Sequence, residues 1–199
     1  MLEPDIKAKD RFLGRVRQAL ADRGEPVPLP DDHEVARVIA SDDDPVKVFL
    51  ERASQAKTQG HRVADESALV SRILEIAREA GARTAIVPDD GLPARSQICA
   101  ALTAAGVQLL DPDDSEAAFA ADLGITGAAG GIAETASLRL TSGGGARRLA
   151  SLAVPVHVGV IRAGQIAHDL LDWAARLPRD MPAAEVLVSA PSKTADIEL

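Results

Sequence analysis

Residues 122–145 read DLGITGAAGGIAETASLRLTSGGG, and the fold turns on how this stretch is taken. It holds seven of the chain's fifteen glycines, with Glu134 and Thr135 set among small apolar neighbours. Glycine at this density marks backbone that takes a positive φ or comes too close to another atom for a Cβ to fit. Residues 123–126 before the core of the stretch and 137–140 after it carry strand signals. The segment therefore reads as strand, tight small-residue connection, strand.

A rival reading starts from Thr126-Gly127-Ala128-Ala129-Gly130-Gly131-Ile132-Ala133, which approaches the TGxxxGxG fingerprint of short-chain dehydrogenases. In that motif the glycines let a pyrophosphate reach backbone N–H groups at a helix start. Four observations weigh against it. Ala133 stands where the last glycine belongs, and residues 136–141 look like strand rather than helix. The chain contains no Tyr, so the usual Tyr/Lys proton-transfer pair is absent. The fingerprint also lies near the N-terminus in those enzymes.

Outward from this segment, strand and helix signals alternate. Residues 84–87, 107–110, 154–161 and 184–189 read as further strands, and 93–105, 115–121 and 166–176 as helices. Upstream, Asp44 and Pro45 fit the cap and first position of a helix running to about residue 59. Residues 67–80 form a second helix with Gly81 as its stop. An amphipathic helix over 5–22 precedes Gly24 and an extended tether at Pro26, Pro28 and Pro30. The expected organisation is an N-terminal helix and Pro-rich tether over 1–30, then one α/β domain over 31–199. Its class is three-layer α/β with a mainly parallel sheet. Ligands of such sheets bind beyond the carboxyl ends of strands. That rule nominates the glycine segment and the loop Ala190-Pro191-Ser192-Lys193-Thr194.

Composition narrows the function. The formal charge is −8 and the nearest basic cluster is Arg147 with Arg148, which argues against nucleic acid. Aromatic residues are 2% of the chain, too few for base-stacking platforms. The single cysteine, Cys99, forms no internal disulfide and alone holds neither a structural zinc nor an iron–sulfur cluster. His33, His61, His157 and His168 show no metal-type spacing. The charged N-terminus lacks the pattern of a signal peptide, and residues 149–161 are too short an apolar run to span a bilayer. A reducing cytoplasm is the expected location.

Four features carry candidate chemistry. Glu134, among Ile132, Ala133 and Ala136, suits a desolvated acid/base or a nucleophile toward an activated acyl group. It suits equally a carboxylate that holds the glycine turn through loop N–H groups. Ser192-Lys193-Thr194 supplies a cation and two hydroxyls for a carboxylate or phosphate. Thr194 also reads as a helix cap, with Asp196 favoured in the first turn. Gly143–Gly145 with Arg147 and Arg148 is an anion loop or a solvated hairpin. His157, inside a strand, is a core or edge histidine or a catalytic one.

Gly124-Ile125-Thr126-Gly127, Ile132-Ala133-Glu134-Thr135, the stretch bearing Arg148, Ser151, Leu152, Pro155 and His157, and Pro191-Ser192-Lys193-Thr194-Ala195-Asp196-Ile197-Glu198-Leu199 together resemble the LUD domain family, in particular its lactate utilisation protein C branch. The resemblance covers most of the chain and is strongest from Leu123 onward. It implies a fold like that of the ribose-phosphate isomerase, glucosamine-phosphate deaminase and CoA-transferase group. It also implies a part in oxidising L-lactate to pyruvate with two iron–sulfur partner proteins. It names a pathway rather than a reaction, and leaves the cofactor open. Two departures stand out. Members usually read Glu-Thr-Gly-Thr where this chain has Glu134-Thr135-Ala136-Ser137, so φ at 136 and the hydroxyl at 137 are the expected points of difference. Members also continue to a Gly-x-His-Gly-Pro segment that this sequence does not include.

The resulting expectation is a small-anion or cofactor pocket between residues 124–135 and 192–194. Glu134 would be its catalytic group, and Thr126, Gly127, Thr135, Ser192, Lys193, Thr194 and Asp196 its binding groups, with no metal. The alternatives are a non-catalytic assembly protein that docks iron–sulfur subunits, using the N-terminal helix, and a stand-alone isomerase or acyl-transfer enzyme of the same fold.

Overall fold

The computed structural model describes residues 6–21, 39, 42–142, 148–176 and 182–189. The chain divides into two compact units, residues 1–36 and 37–199. In the first, α1 (Ile6–Ala21) carries Phe12, Val16 and Leu20 four residues apart, and all three are exposed. The tether expected at 24–30 lies outside the described residues.

The second unit is α/β. Its elements are α2 (Pro45–Gln55), α3 (Glu66–Glu79), β1 (Thr84–Ile86), α4 (Arg95–Ala104), β2 (Gln108–Leu110), α5 (Ser115–Ala120), β3 (Leu123–Gly127), β4 (Gly130–Ile132), β5 (Ser137–Ser142), α6 (Leu149–Leu152), β6 (Val156–Val160), β7 (Ile166–Ala167), α7 (Leu170–Ala175) and β8 (Ala184–Val188). Helix starts follow local chemistry. Asp44, Asp65, Asp114 and Asp169 each accept a backbone N–H from the first turn of α2, α3, α5 and α7. Such caps satisfy donors that a helix leaves unpaired, and each stabilises by about 1 kcal/mol. Past α3, Gly81 takes φ +62° and turns the chain toward β1.

Four strands form a parallel sheet in the order β2-β1-β3-β6. Alternation along the strands sorts its two faces. Ala85, Val87, Leu123 and Ile125 pack on Ile73 and Ala77 of α3 and on Ile98 and Leu102 of α4. On the opposite face Ile86 meets Ala118 of α5 and Ala150 of α6. Helices on both faces make the three layers. Each fully buried Ile or Leu of this core contributes about 2 kcal/mol through apolar burial.

At the amino end of the sheet, Asp122 accepts N–H bonds from Arg83 (2.8 Å) and Thr84 (3.0 Å) and the Thr84 hydroxyl at 2.9 Å. The Arg83 backbone bond first, then the Thr84 hydroxyl, lowers the Asp122 carboxyl below its ordinary value. The clamp sets β1 beside β3.

A second sheet, β7-β4-β5-β8, is not foreseen in the sequence. Here β5 is antiparallel to both β4 and β8, while β4 runs parallel to β7. The glycine segment crosses between the sheets. Ala128 N–H donates to Val160 O of the first at 2.8 Å, and Ala129 N–H to Arg139 O of the second at 2.8 Å. The second sheet packs through Ala133 and Ile166 against Ile39 and, on α2, Val46, Val48 and Phe49.

Several boundaries differ from expectation. Residues 166–176 are not one helix. Ile166 and Ala167 pair with Gly131 and Ile132, and the helix begins only after Asp169 caps it. Pro93 does not open α4. The helix starts at Arg95, after Ala94 at φ +54°. The apolar run at 149–161 splits into α6 and β6.

Candidate functional site

The glycines of β3 serve close approach. A Cβ on Gly124 would collide with the carbonyl oxygen of Ala150, so Gly124 lets α6 lie directly on the strand. At Gly127 a Cβ would sit 2.9 Å from Leu92 N and 3.2 Å from Asp90 Oδ1. Neither residue takes a positive φ. Of the two uses of glycine, proximity is the one that operates here.

These approaches build a cleft beyond the carboxyl ends of β1 and β3. It is lined by Asp90, Thr126, Gly127, Leu140, Thr141, Arg148, Ser151, Leu152, Ala184 and Val186. In the strand order the chain steps outward from β1 to β2, then returns past β1 to β3. The winding reverses between β1 and β3, the place where doubly wound sheets leave a crevice.

Asp90 bridges this point. Both its carboxylate oxygens accept the Gly127 N–H, at 3.0 and 3.1 Å. Burial pushes the Asp90 carboxyl above its ordinary value, against the pull of N–H bonds from Gly127 and Leu92. The Gly127 N–H is thus committed to Asp90, and Gly127 lines the cleft with its remaining backbone.

Thr126 is 4% exposed, and its hydroxyl lies 2.8 Å from His157 Nε2. In the sheet His157 is registered with Gly124 and Thr126 with Gly159, so the two side chains share one face. That face is covered by α6 at Gly124 and by Leu138 of β5 at Gly159, where a Cβ would overlap the leucine. Enclosure disfavours the imidazolium, and burial lowers the His157 pKa to about 4. At neutral pH His157 is an uncharged partner of the Thr126 hydroxyl.

Glu134 and Thr135 occupy a different place. Residues 133–136 form the tight turn between β4 and β5, closed by Ala136 N–H to Ala133 O at 3.2 Å. Ala136 takes φ +49°, the left-handed conformation that glycine adopts without strain. Glu134 is half-buried and its N–H donates to His168 O at 2.9 Å. His168 in turn places Nδ1 3.3 Å from Asp172 and Nε2 3.1 Å from Asp43 O. The hydroxyls of Thr135, Ser137 and Ser189 form a chain with both links at 2.6 Å. The Ser137 hydroxyl is its middle link.

The sequence-nominated residues therefore fall into two groups. Thr126 and Gly127 line the cleft, near Thr141 of β5. Glu134 and Thr135 lie before Ser137, at the other end of that strand. Four residue steps along the strand separate Ser137 from Thr141, about 13 Å. Ser192, Lys193, Thr194 and Asp196 lie outside the described residues, as do Gly143–Gly145 and Arg147. Asp90 of the cleft is not marked as a site candidate by the sequence: it sits in a Pro-Asp-Asp-Gly turn and meets Gly127 only through the fold. Arg148, nominated with Gly143–Gly145 and Arg147 as an anion loop or a solvated hairpin, lines the cleft. Among the described residues no group of three His, Cys, Asp or Glu is placed to hold a metal ion. No helix among them is long and apolar enough to cross a membrane.

Comparison with known proteins adds three findings. The structure is similar to the crystal structure of a DUF162 family protein from Deinococcus radiodurans, with a TM-score of 0.56 and 25% sequence identity. The alignment covers 73% of this chain and 86% of that one. No functionally curated protein matches. The family model of the LUD domain matches residues 46–199, which takes in the parallel sheet, the cleft and the Glu134 turn, and the chain belongs to the LUD domain family.

Proposed function

We propose that this chain is a subunit of an L-lactate utilisation system. It acts in the cytoplasm with iron–sulfur partner proteins that take the electrons when L-lactate becomes pyruvate. The family membership supports the pathway. Cys99 as the single cysteine supports the division of labour, because a cluster needs more thiolates than this chain has.

Within the subunit, Glu134 serves as acid/base or nucleophile. Thr135, Ser192, Lys193 and Thr194 hold a small anion or cofactor beside it, and Asp196 supports that loop. The observation that carries this assignment is the hydroxyl chain Thr135–Ser137–Ser189. It fastens the end of β8 to the Glu134 turn. Ser192 follows Ser189 by three residues, a reach of at most about 11 Å. The reading therefore brings the Ser192–Thr194 loop to the same end of the second sheet as the Glu134 turn. Thr126 and Gly127 belong to the cleft at the far end of β5.

The test is growth complementation on L-lactate, with folding checked by circular dichroism. Glu134→Gln and Lys193→Ala are expected to abolish complementation while remaining folded. Wild-type behaviour of both variants would remove Glu134 and the Ser192–Thr194 loop from the site.

A second reading has its own support. Phe12, at 65% exposed, and Leu20, at 55%, stand with Val16 on one side of α1. Such a stripe suits a docking helix in a non-catalytic assembly protein. Removal of residues 1–30 would then abolish co-purification with the iron–sulfur partners, and intact association would end this reading.

A further inference from the structure

The charge on α1 runs against that of the rest of the chain. The whole chain carries −8, yet within α1 Lys7, Lys9, Arg11, Arg15 and Arg17 are met by a single acid, Asp10. The same helix keeps an apolar stripe exposed, with Phe12 at 65%, Val16 at 39% and Leu20 at 55%. A stripe of this kind on a basic helix marks a surface that meets something else.

The placement of the charge says what that something is. Successive helix residues turn by about 100°, which puts Phe12 and Leu20 about 40° to either side of Val16. Arg15 and Arg17 then stand about 100° to either side of it, one along each border of the stripe. Both are exposed. A plane of anionic headgroups above an apolar layer asks for this symmetry, with cations level on both flanks of the buried stripe. A groove in a protein asks instead for acids opposite particular cations, which needs no symmetry. Lys9 lies within the angular range of the stripe, at its N-terminal end. Helical side chains lean toward the N-terminus, so its stem extends past Phe12 and its ammonium can reach the headgroups.

We infer that α1 lies in the plane of a membrane surface rich in anionic lipid. Phe12, Val16 and Leu20 enter the acyl boundary, and Arg15 and Arg17 pair with lipid phosphates. This mode requires no spanning helix. The remainder of the chain is acidic and is repelled by such a surface, so attachment is confined to α1. The inference depends on neither the lactate pathway nor the Glu134 site. It gives α1 a lipid surface where the second reading above gives it a protein partner.

The test is sedimentation of the full chain with vesicles of phosphatidylglycerol mixed equally with phosphatidylcholine, and with vesicles of phosphatidylcholine alone. Binding is expected to the mixed vesicles, to weaken as salt is raised, and to be at least about tenfold weaker on phosphatidylcholine. Arg15→Glu with Arg17→Glu lowers binding to the mixed vesicles by about tenfold or more, and so does Phe12→Ser with Leu20→Ser. Lys47→Glu with Arg62→Glu changes the net charge as much as the arginine pair does, at exposed positions outside α1, and binds as wild type does. Thermal melts of all variants check that the α/β unit is unchanged. Failure of the wild-type chain to bind mixed vesicles would overturn the inference. So would equal binding to phosphatidylcholine, wild-type binding by both α1 variants, or a loss in the Lys47/Arg62 variant as large as in the Arg15/Arg17 variant. Co-purification of the iron–sulfur partners through α1, with no vesicle binding, would give the helix to a protein and overturn it as well.

Discussion

Replacing His157 with glutamine removes a pH liability built into the sheet beside Thr126. In the unfolded chain a histidine titrates near 6.5, whereas burial lowers it to about 4 in the folded protein. Between those values the unfolded state binds a proton that the folded state refuses. Stability is therefore lost as pH falls from about 6.5, and the loss levels off below about 4. The full gap corresponds to about 3 kcal/mol, of which roughly 2 kcal/mol has gone by pH 5. The glutamine side chain still offers the Thr126 hydroxyl a partner but does not titrate. The assay is urea unfolding of both proteins at steps from pH 7.5 to pH 4.5. Asp90, Asp122 and every other carboxylate are common to both, so the difference between the two curves isolates the histidine. Wild type is expected to lose about 2 kcal/mol more than His157→Gln between pH 7.5 and pH 5. Parallel curves would refute the reasoning and show that His157 is solvated or charged in the native state.

Two further substitutions test the backbone arguments. Ala136→Gly relieves the left-handed strain of the β4–β5 turn and is expected to stabilise by about 1 kcal/mol in thermal melts, after allowing for glycine's greater chain entropy. A destabilised variant would mean that Ala136 is unstrained. Gly124→Ala drives a methyl group into the Ala150 carbonyl and forces α6 off the strand, at a cost of about 3 kcal/mol in chemical unfolding. A change below about 0.5 kcal/mol, the usual range for substitutions that disturb no packing, would show that α6 does not sit against β3 as described.

Local signals in the sequence carried the helices with polar caps and the apolar strands. Asp44 with Pro45, and Gly81, mark their helix ends by chemistry that acts over a few residues. The runs at 84–87 and 123–126 announce burial by composition, and both became parallel strands of the α/β core. What was illegible depends on partners far along the chain. Gly130-Gly131-Ile132 has no strand propensity of its own and becomes β4 because β5 and β7 flank it. Ile166 and Ala167 fit a helical pattern but are claimed by the edge of β4, so α7 waits for the Asp169 cap. The site followed the same rule. Glu134 and Thr126 were visible as polar residues in a glycine-rich segment. That they lie at opposite ends of β5 was not, because the turn at 133–136 and the crossing at Ala128–Ala129 are set by pairing between sheets. Asp90 gave no signal beyond that of a turn residue, since its partner Gly127 is 37 residues away.

The pathway assignment is the claim on which the rest is ordered, and one growth measurement addresses it. The gene for this chain is deleted in its host, and growth is followed with L-lactate as the sole carbon source and, in parallel, with pyruvate. The account predicts that growth on L-lactate is lost, growth on pyruvate is kept, and the wild-type chain restores the former. Undiminished growth of the deletion strain on L-lactate would contradict it.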